Sequence, residues 1–160
     1  MSAAHAQGRL AAFFALSLMT IAVRAAPAPA PTIPSAPDCL AEAASFHQVN
    51  DWVLRAIIWQ ESRNHPNAVG HNSNGSIDVG YGQINSIHFR ELGLYQIPPG
   101  RLFDSCVNTY VAAWLLAKAV KKHGNTWEAV GAYHSESPAE KASYSSKVIG
   151  ILQSWGVLTR

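Results

Sequence analysis

The chain is predicted to fold as one α+β domain, mostly α, with about six helices and one small irregular β-hairpin. Three observations lead there. Apolar residues recur at three- and four-residue spacing in successive segments between Cys39 and Trp155, the signature of amphipathic helices. A single glycine-rich stretch, Ile77 to Asn85, alternates apolar with small or polar residues and reads as a short hairpin. No internal repeat and no strand–helix alternation occurs, and the 123 residues from Asp38 to Arg160 suit a single core.

Residues 1–25 read as a signal peptide. His5 and Arg9 give a weakly basic start, and Leu10 to Val23 is an uncharged apolar run too short for a comfortable membrane span. Small residues around Val23-Arg24-Ala25 place cleavage after Ala25. An uncleaved membrane anchor is the alternative, and an exported protein follows from either, with the periplasm expected and secretion beyond it the alternative. Residues 26–37, APAPAPTIPSAP, form a proline- and alanine-rich linker, which favours extended polyproline II and offers no pattern to bury. The domain is expected to occupy residues 38–160.

Within it, Cys39 to His47 reads as a short amphipathic helix. The next helix begins near Trp52, capped by Asn50 or Asp51. It ends between Ser62 and Asn64, because His65 precedes Pro66 and is pushed out of the helical region. Ser86 to Leu92 is helical and stops at Gly93, and Pro98-Pro99-Gly100 marks a turn. Ser105 to His123 is the longest helix, ended by Gly124, with Lys118, Lys121, Lys122 and His123 near the negative end of its dipole. Thr126 caps a helix to His134, and Ser137-Pro138 starts a last one reaching about Trp155, with Tyr144, Val148, Ile151 and Leu152 inward. Trp52, Trp59 and Trp114 are expected in the core.

The whole-chain charge is +2, from 12 basic and 10 acidic residues. Arg9 and Arg24 lie in the leader, so the exported part is near neutral, which argues against a nucleic-acid partner. The histidines are scattered, without a helical pair at metal-ligand spacing, so no metal site is read. The two cysteines, Cys39 and Cys106, are most simply one disulfide in an oxidising compartment.

Chemistry concentrates between Trp52 and Asn85. Glu61 is a lone carboxylate on the last turn of an apolar helix. The helix dipole and apolar neighbours both disfavour its charge there, which raises its pKa. A carboxyl kept protonated near neutrality is what a general acid requires. Downstream, Gly80 and Gly82 permit close backbone approach, and Gln83 and Asn85 supply neutral amides that suit hydroxyl and N-acetyl groups. Tyr81, Tyr133 and Tyr144 offer aromatic bodies with polar tips. A carboxyl facing such a hairpin reads as a carbohydrate cleft.

Glu61-Ser62, then Gly80-Tyr81-Gly82-Gln83-Ile84-Asn85, then Gly131-Ala132-Tyr133-His134-Ser135 resemble, in order and spacing, the motifs of family 1 (SLT-type) lytic transglycosylases. The nearer likeness is to the small periplasmic branch linked to specialised secretion systems, the IagB/IpgF invasion-associated type. Cys39 with Cys106, and Asn74-Gly75-Ser76-x-Asp78-x-Gly80, are typical of that branch, and the likeness runs from about Asp38 to Trp155. The departure is His134, where the family carries Asn.

The resemblance implies a lysozyme-like fold and cleavage of the MurNAc-β-1,4-GlcNAc bond of peptidoglycan with formation of 1,6-anhydroMurNAc. It makes Glu61 the catalytic residue. Ser62, Gly80, Tyr81, Gln83, Asn85, Tyr133, His134 and Tyr144 become substrate-side residues, with Tyr133 positioning or hydrogen-bonding the acid. No metal or cofactor is implied. Glycan strands are the partner, with components of a type III or related secretion apparatus beside them. A hydrolytic muramidase and a non-catalytic wall-binding or assembly factor are the competing readings. Asp78, seventeen residues beyond Glu61, is expected to bond turn N–H groups and to be no nucleophile.

Overall fold

A computed structural model of the chain describes residues 32–37 and 39–159. The expected signal peptide, residues 1–25, and the first half of the expected linker lie outside the described residues. Six α-helices are present among those residues: α1 (Leu40–His47), α2 (Asp51–Ser62), α3 (Phe89–Leu94), α4 (Ser105–His123), α5 (Trp127–Ala132) and α6 (Pro138–Ser154). Three short strands, β1 (Val69–His71), β2 (Ile77–Val79) and β3 (Ile84–Asn85), form an antiparallel sheet in that order. Val69 pairs with Val79, which in turn pairs with Ile84. The predicted mostly-α architecture is therefore present.

The hairpin expected at Ile77–Asn85 is β2–β3, but a third strand adjoins it. Val69-Gly70-His71 is too short, and half-exposed, to show any alternation of hydrophobicity. Ser86 to His88 is a 3-10 turn, not part of the helix that follows. The expected caps at Asn50 and Thr126 are made, and Asp104 adds one that was not expected. Asn50 Oδ1 accepts the Val53 N–H at 3.0 Å, and Thr126 Oγ1 accepts that of Ala129 at 3.3 Å. Asp104 Oδ1 accepts two N–H groups at the start of α4, Cys106 at 3.0 Å and Val107 at 2.9 Å.

Helix α2 separates two apolar clusters and belongs to both. Its Leu54 and Ile58 pack with α1, the sheet and the first half of α4. Ala56 and Ile57 face Leu116, Val130, Tyr144, Val148 and Leu152 from α4, α5 and α6. With four apolar side chains fully enclosed, α2 cannot rotate or slide without opening a core, so its final turn is fixed in space. Trp52 and Trp59 pack at the margin of the second cluster and Trp114 at that of the first.

Cys39 and Cys106 are disulfide-bonded, with Cα atoms 5.7 Å apart, tying the start of α1 to the first turn of α4. Two expectations are corrected. Residues 32–37 of the linker do have side chains to bury: Ile33 and Ala36 pack on the two clusters, and the Ser35 carbonyl accepts from the Asn64 amide. The basic end of α4 answers to more than the helix dipole. Lys118 bonds Glu91 at 2.9 Å, Lys122 bonds Glu136 at 2.8 Å, and His123 lies beside Glu128 and Glu136.

Candidate active site

Helix α2 ends because Arg63 and Asn64 adopt left-handed conformations, at φ 54° and 62°, with the Arg63 N–H returning to the Trp59 carbonyl. The expected boundary stands, but the stop comes from these two residues before the His65-Pro66 restriction is reached. Glu61 is thus held on the final turn, partly buried, at the edge of a cleft of about 710 Å³. That volume lies within the range of small-molecule sites.

Burial is the main force on the Glu61 carboxyl, and Asp78 adds like-charge repulsion. A hydrogen bond from Tyr144 and the charge of Lys147 oppose them. The balance lifts its pKa from 4.5 to about 7. The Tyr144 hydroxyl donates to Glu61 Oε1, leaving the second oxygen to carry the acidic proton. Burial, with the charge of Glu61 next, pushes the phenols of Tyr133 and Tyr144 well above their ordinary value. Both therefore remain proton donors across the neutral range.

One wall of the cleft is the sheet with its turns. Asn72, Ser73, Asn74, Ser76, Asp78, Gln83 and Asn85 line it. Asp78 stands opposite Asn85 in the register and has both carboxylate oxygens engaged: Asn85 Nδ2 donates to Oδ1 at 2.7 Å and Asn72 Nδ2 to Oδ2 at 2.8 Å. Ser76 joins the same cluster, accepting from Asn72 and Asn85 at 3.1 Å and donating to Asn74 at 2.8 Å. Asp78 was expected to bond turn N–H groups; it instead accepts from two side-chain amides.

The other wall is the junction of α5 and α6. Ala132, Tyr133, His134, Ser135, Glu136 and Glu140 line it. Tyr133 crosses the cleft floor and donates to the Gly82 carbonyl at 2.7 Å, fastening this wall to the sheet. Glu136 is braced from behind by Lys122. Lys141, nearly buried, holds Glu128 at 2.8 Å.

Of the residues singled out in the sequence, Glu61, Gln83, Asn85, Tyr133 and His134 line the cleft, and Tyr144 lies just beneath it. Ser62, Gly80 and Tyr81 do not line it. The Ser62 side chain is only 8% exposed and bonds the Ile58 carbonyl one turn back. Gly80 faces α4: a Cβ there would stand 2.2 Å from Asn108 Nδ2 and 2.4 Å from the Leu102 carbonyl. Its backbone is close to the protein's own interior and not to a ligand. Tyr81 packs against the first cluster. The Gln83 amide donates to the Gly80 and Ala68 carbonyls at 2.9 and 3.2 Å, so its donors are occupied within the loop. The bond to the acid expected of Tyr133 is made by Tyr144.

Two residues were passed over. Asn72 shares the hold on Asp78. Asn108, fully enclosed in α4, donates to the carbonyls of Val79 and Leu102, each at 2.8 Å, and accepts the Gly82 N–H at 2.7 Å. It clamps the sheet to the helix and so fixes one wall relative to Glu61. Its signal in the sequence is a single amide within an otherwise apolar helical run. Among the described residues, no three His, Cys, Asp or Glu side chains form a metal-ligating group.

The transglycosylase SLT domain model matches residues 38–151, nearly all of this folded unit. The chain belongs to that family. Its lysozyme-like fold and the resemblance read from the three motifs are accordingly in place. Among curated relatives, invasion protein IagB of Salmonella typhimurium is 36% identical over 116 residues, covering 69% of this chain and 72% of its own. Protein IpgF of Shigella flexneri is 35% identical over 107 residues, covering 65% and 69%. X polypeptide of Escherichia coli is 46% identical over 101 residues, or 62% of this chain, and the match spans only 60% of that relative's length.

Proposed function

We propose that the chain is a lytic transglycosylase acting on the MurNAc-β-1,4-GlcNAc bonds of peptidoglycan. The observation that carries this reading is a single, partly buried acid fit to shuttle a proton at the edge of an amide-lined cleft. Glu61, with its pKa near 7, can both give and take a proton at neutral pH. Asp78 is held by Asn72 and Asn85 through both oxygens. We read Asp78 as a structural residue that ties the turn and the sheet together, as the likeness to this family implies, and not as the nucleophile of a retaining hydrolase.

In the proposed reaction Glu61 protonates the glycosidic oxygen as the C1–O bond of MurNAc breaks. The resulting carboxylate then takes the proton of the same MurNAc C6 hydroxyl. O6 closes on C1, giving a 1,6-anhydro end and returning Glu61 to its acid form, with no water consumed. The oxocarbenium-like transition state would draw on the substrate's N-acetyl group and on the dipoles of the amide-lined wall. Tyr144 supports the carboxylate that forms in the first half-reaction and releases it in the second.

Family membership supports peptidoglycan as substrate. The Cys39–Cys106 disulfide supports an oxidising compartment, in line with an exported, periplasmic protein. Salmonella's relative is named an invasion protein, and we extend from it a role in local wall opening for a type III or related secretion apparatus. A hydrolytic muramidase would leave reducing MurNAc ends, and a wall-binding factor would leave none. Digestion of purified peptidoglycan followed by mass spectrometry separates all three.

A further inference from the structure

Tyr144 meets Glu61 across 83 residues of sequence, and its hydrogen bond is the main influence opposing the burial that raises the acid's pKa. The phenol is aimed from two sides. On one side the second apolar cluster, with Ala56, Ile57 and Val130, buries Tyr144 to 3% exposure. On the cleft side the imidazole of His134 lies parallel to it, with ring centroids 4.9 Å apart and planes 6° from coincidence. His134 lines the cleft whereas Tyr144 does not, so the imidazole is a cover placed between the phenol and the substrate space. A flat ring lying on another blocks the swing that would take the phenol out of plane, yet it leaves the hydroxyl edge free. An asparagine, which the family pattern carries at this position, has no ring to do this.

We propose that His134 is a positioning residue: stacked on Tyr144, it keeps the phenol hydroxyl on Glu61 and through that bond tunes the acid. The inference deepens the function proposed above and rests on Glu61 being the proton shuttle. The groups that act on Glu61 are Asp78 from β2, Tyr144 and Lys147 from α6, and Tyr133 from the end of α5, and His134, Glu136 and Glu140 line the same cleft. Because the bond from Tyr144 stabilises the carboxylate, loosening the phenol should raise the Glu61 pKa. The ring is what matters in this account, and any charge on the imidazole does not.

The test compares the full chain with its His134→Phe, His134→Ala and His134→Asn variants. The Glu61 carboxyl is titrated by carbon-13 NMR, and kcat and KM are measured on peptidoglycan fragments across pH. His134→Ala and His134→Asn should raise the Glu61 pKa by about half a unit to one unit, a part of the roughly one to two units that complete loss of a hydrogen bond to the charged form would give. Their kcat should fall about five- to tenfold, with KM little changed. His134→Phe keeps a ring and should keep the native pKa. A Phe variant that shifts as far as Ala would overturn the proposal, as would an Ala variant with unchanged pKa or an effect confined to KM. If His134→Ala does not fold, the Phe and Asn pair decides by the same comparison. The NMR titration does not depend on turnover. An active Glu61→Gln enzyme would therefore sink the catalytic reading while leaving the coupling between His134 and Glu61 separately measured.

Discussion

Replacing Glu61 by glutamine should make the protein more stable above neutrality while abolishing its activity. In the unfolded chain the carboxyl titrates near 4.5, and in the fold at about 7. Below pH 4.5 it is protonated in both states and burial of the neutral group carries no charge penalty. Between the two values the folded form retains a proton that the unfolded form has released. Stability is therefore lost as pH rises through this window and stays low above it. A displacement of this size corresponds to about 3 kcal/mol. Glutamine has no charge to bury, and its carbonyl still accepts from Tyr144. The native protein and Glu61→Gln should thus melt within a degree or two of each other at pH 4. At pH 8 the variant should melt higher by about 10 °C, the shift that about 3 kcal/mol gives a domain of this size. Thermal unfolding by circular dichroism at both values, beside a turbidity assay on cell walls, tests this. Loss of general acid–base catalysis should lower turnover about 10²- to 10⁴-fold. A melting difference independent of pH would refute the claim that Glu61 carries a burial penalty.

Other residues make equally direct predictions. Asn108→Ala leaves two buried carbonyls and one N–H without their partner, and should cost about 4 kcal/mol in urea unfolding; a loss below about 1 kcal/mol would contradict its role as the clamp. Removing both Cys39 and Cys106 should lower stability by about 2–4 kcal/mol with little change in turnover per folded molecule, and free-thiol titration of the oxidised native chain should find none. Asp78→Asn should retain most activity, and because the charge of Asp78 raises the Glu61 pKa, the alkaline limb of its pH–rate profile should move to lower pH. An inactive, well-folded Asp78→Asn would favour the hydrolase.

The sequence was most informative where a physical conflict lay within one helix. A lone carboxylate on the apolar last turn of α2 announced both the burial and the raised pKa of Glu61. Caps at Asn50 and Thr126 act within three residues, so these helix starts are read from local chemistry. Contacts between distant segments were not legible in the same way. Tyr144 and Glu61 meet only once α2 and α6 pack, and nothing local to either distinguishes Tyr144 from Tyr133. Glycine 80 illustrates a subtler failure: its sequence signals close approach, but the neighbour is Asn108 on α4 and not a ligand. Ser62 failed for a related reason, because one position beyond Glu61 the helix surface has turned inward. Strand β1 and the packing of Ile33 and Ala36 depend on surfaces supplied by other elements, which neither composition nor periodicity encodes.

The central claim is that Glu61 works as a proton shuttle without a second catalytic carboxylate. Mass spectrometry of the muropeptides released from purified peptidoglycan tests it most directly. The account predicts products ending in 1,6-anhydroMurNAc, each lighter by one water than its hydrolysed counterpart and absent from Glu61→Gln digests. Products ending mainly in reducing MurNAc would contradict it and return Asp78 to the reaction.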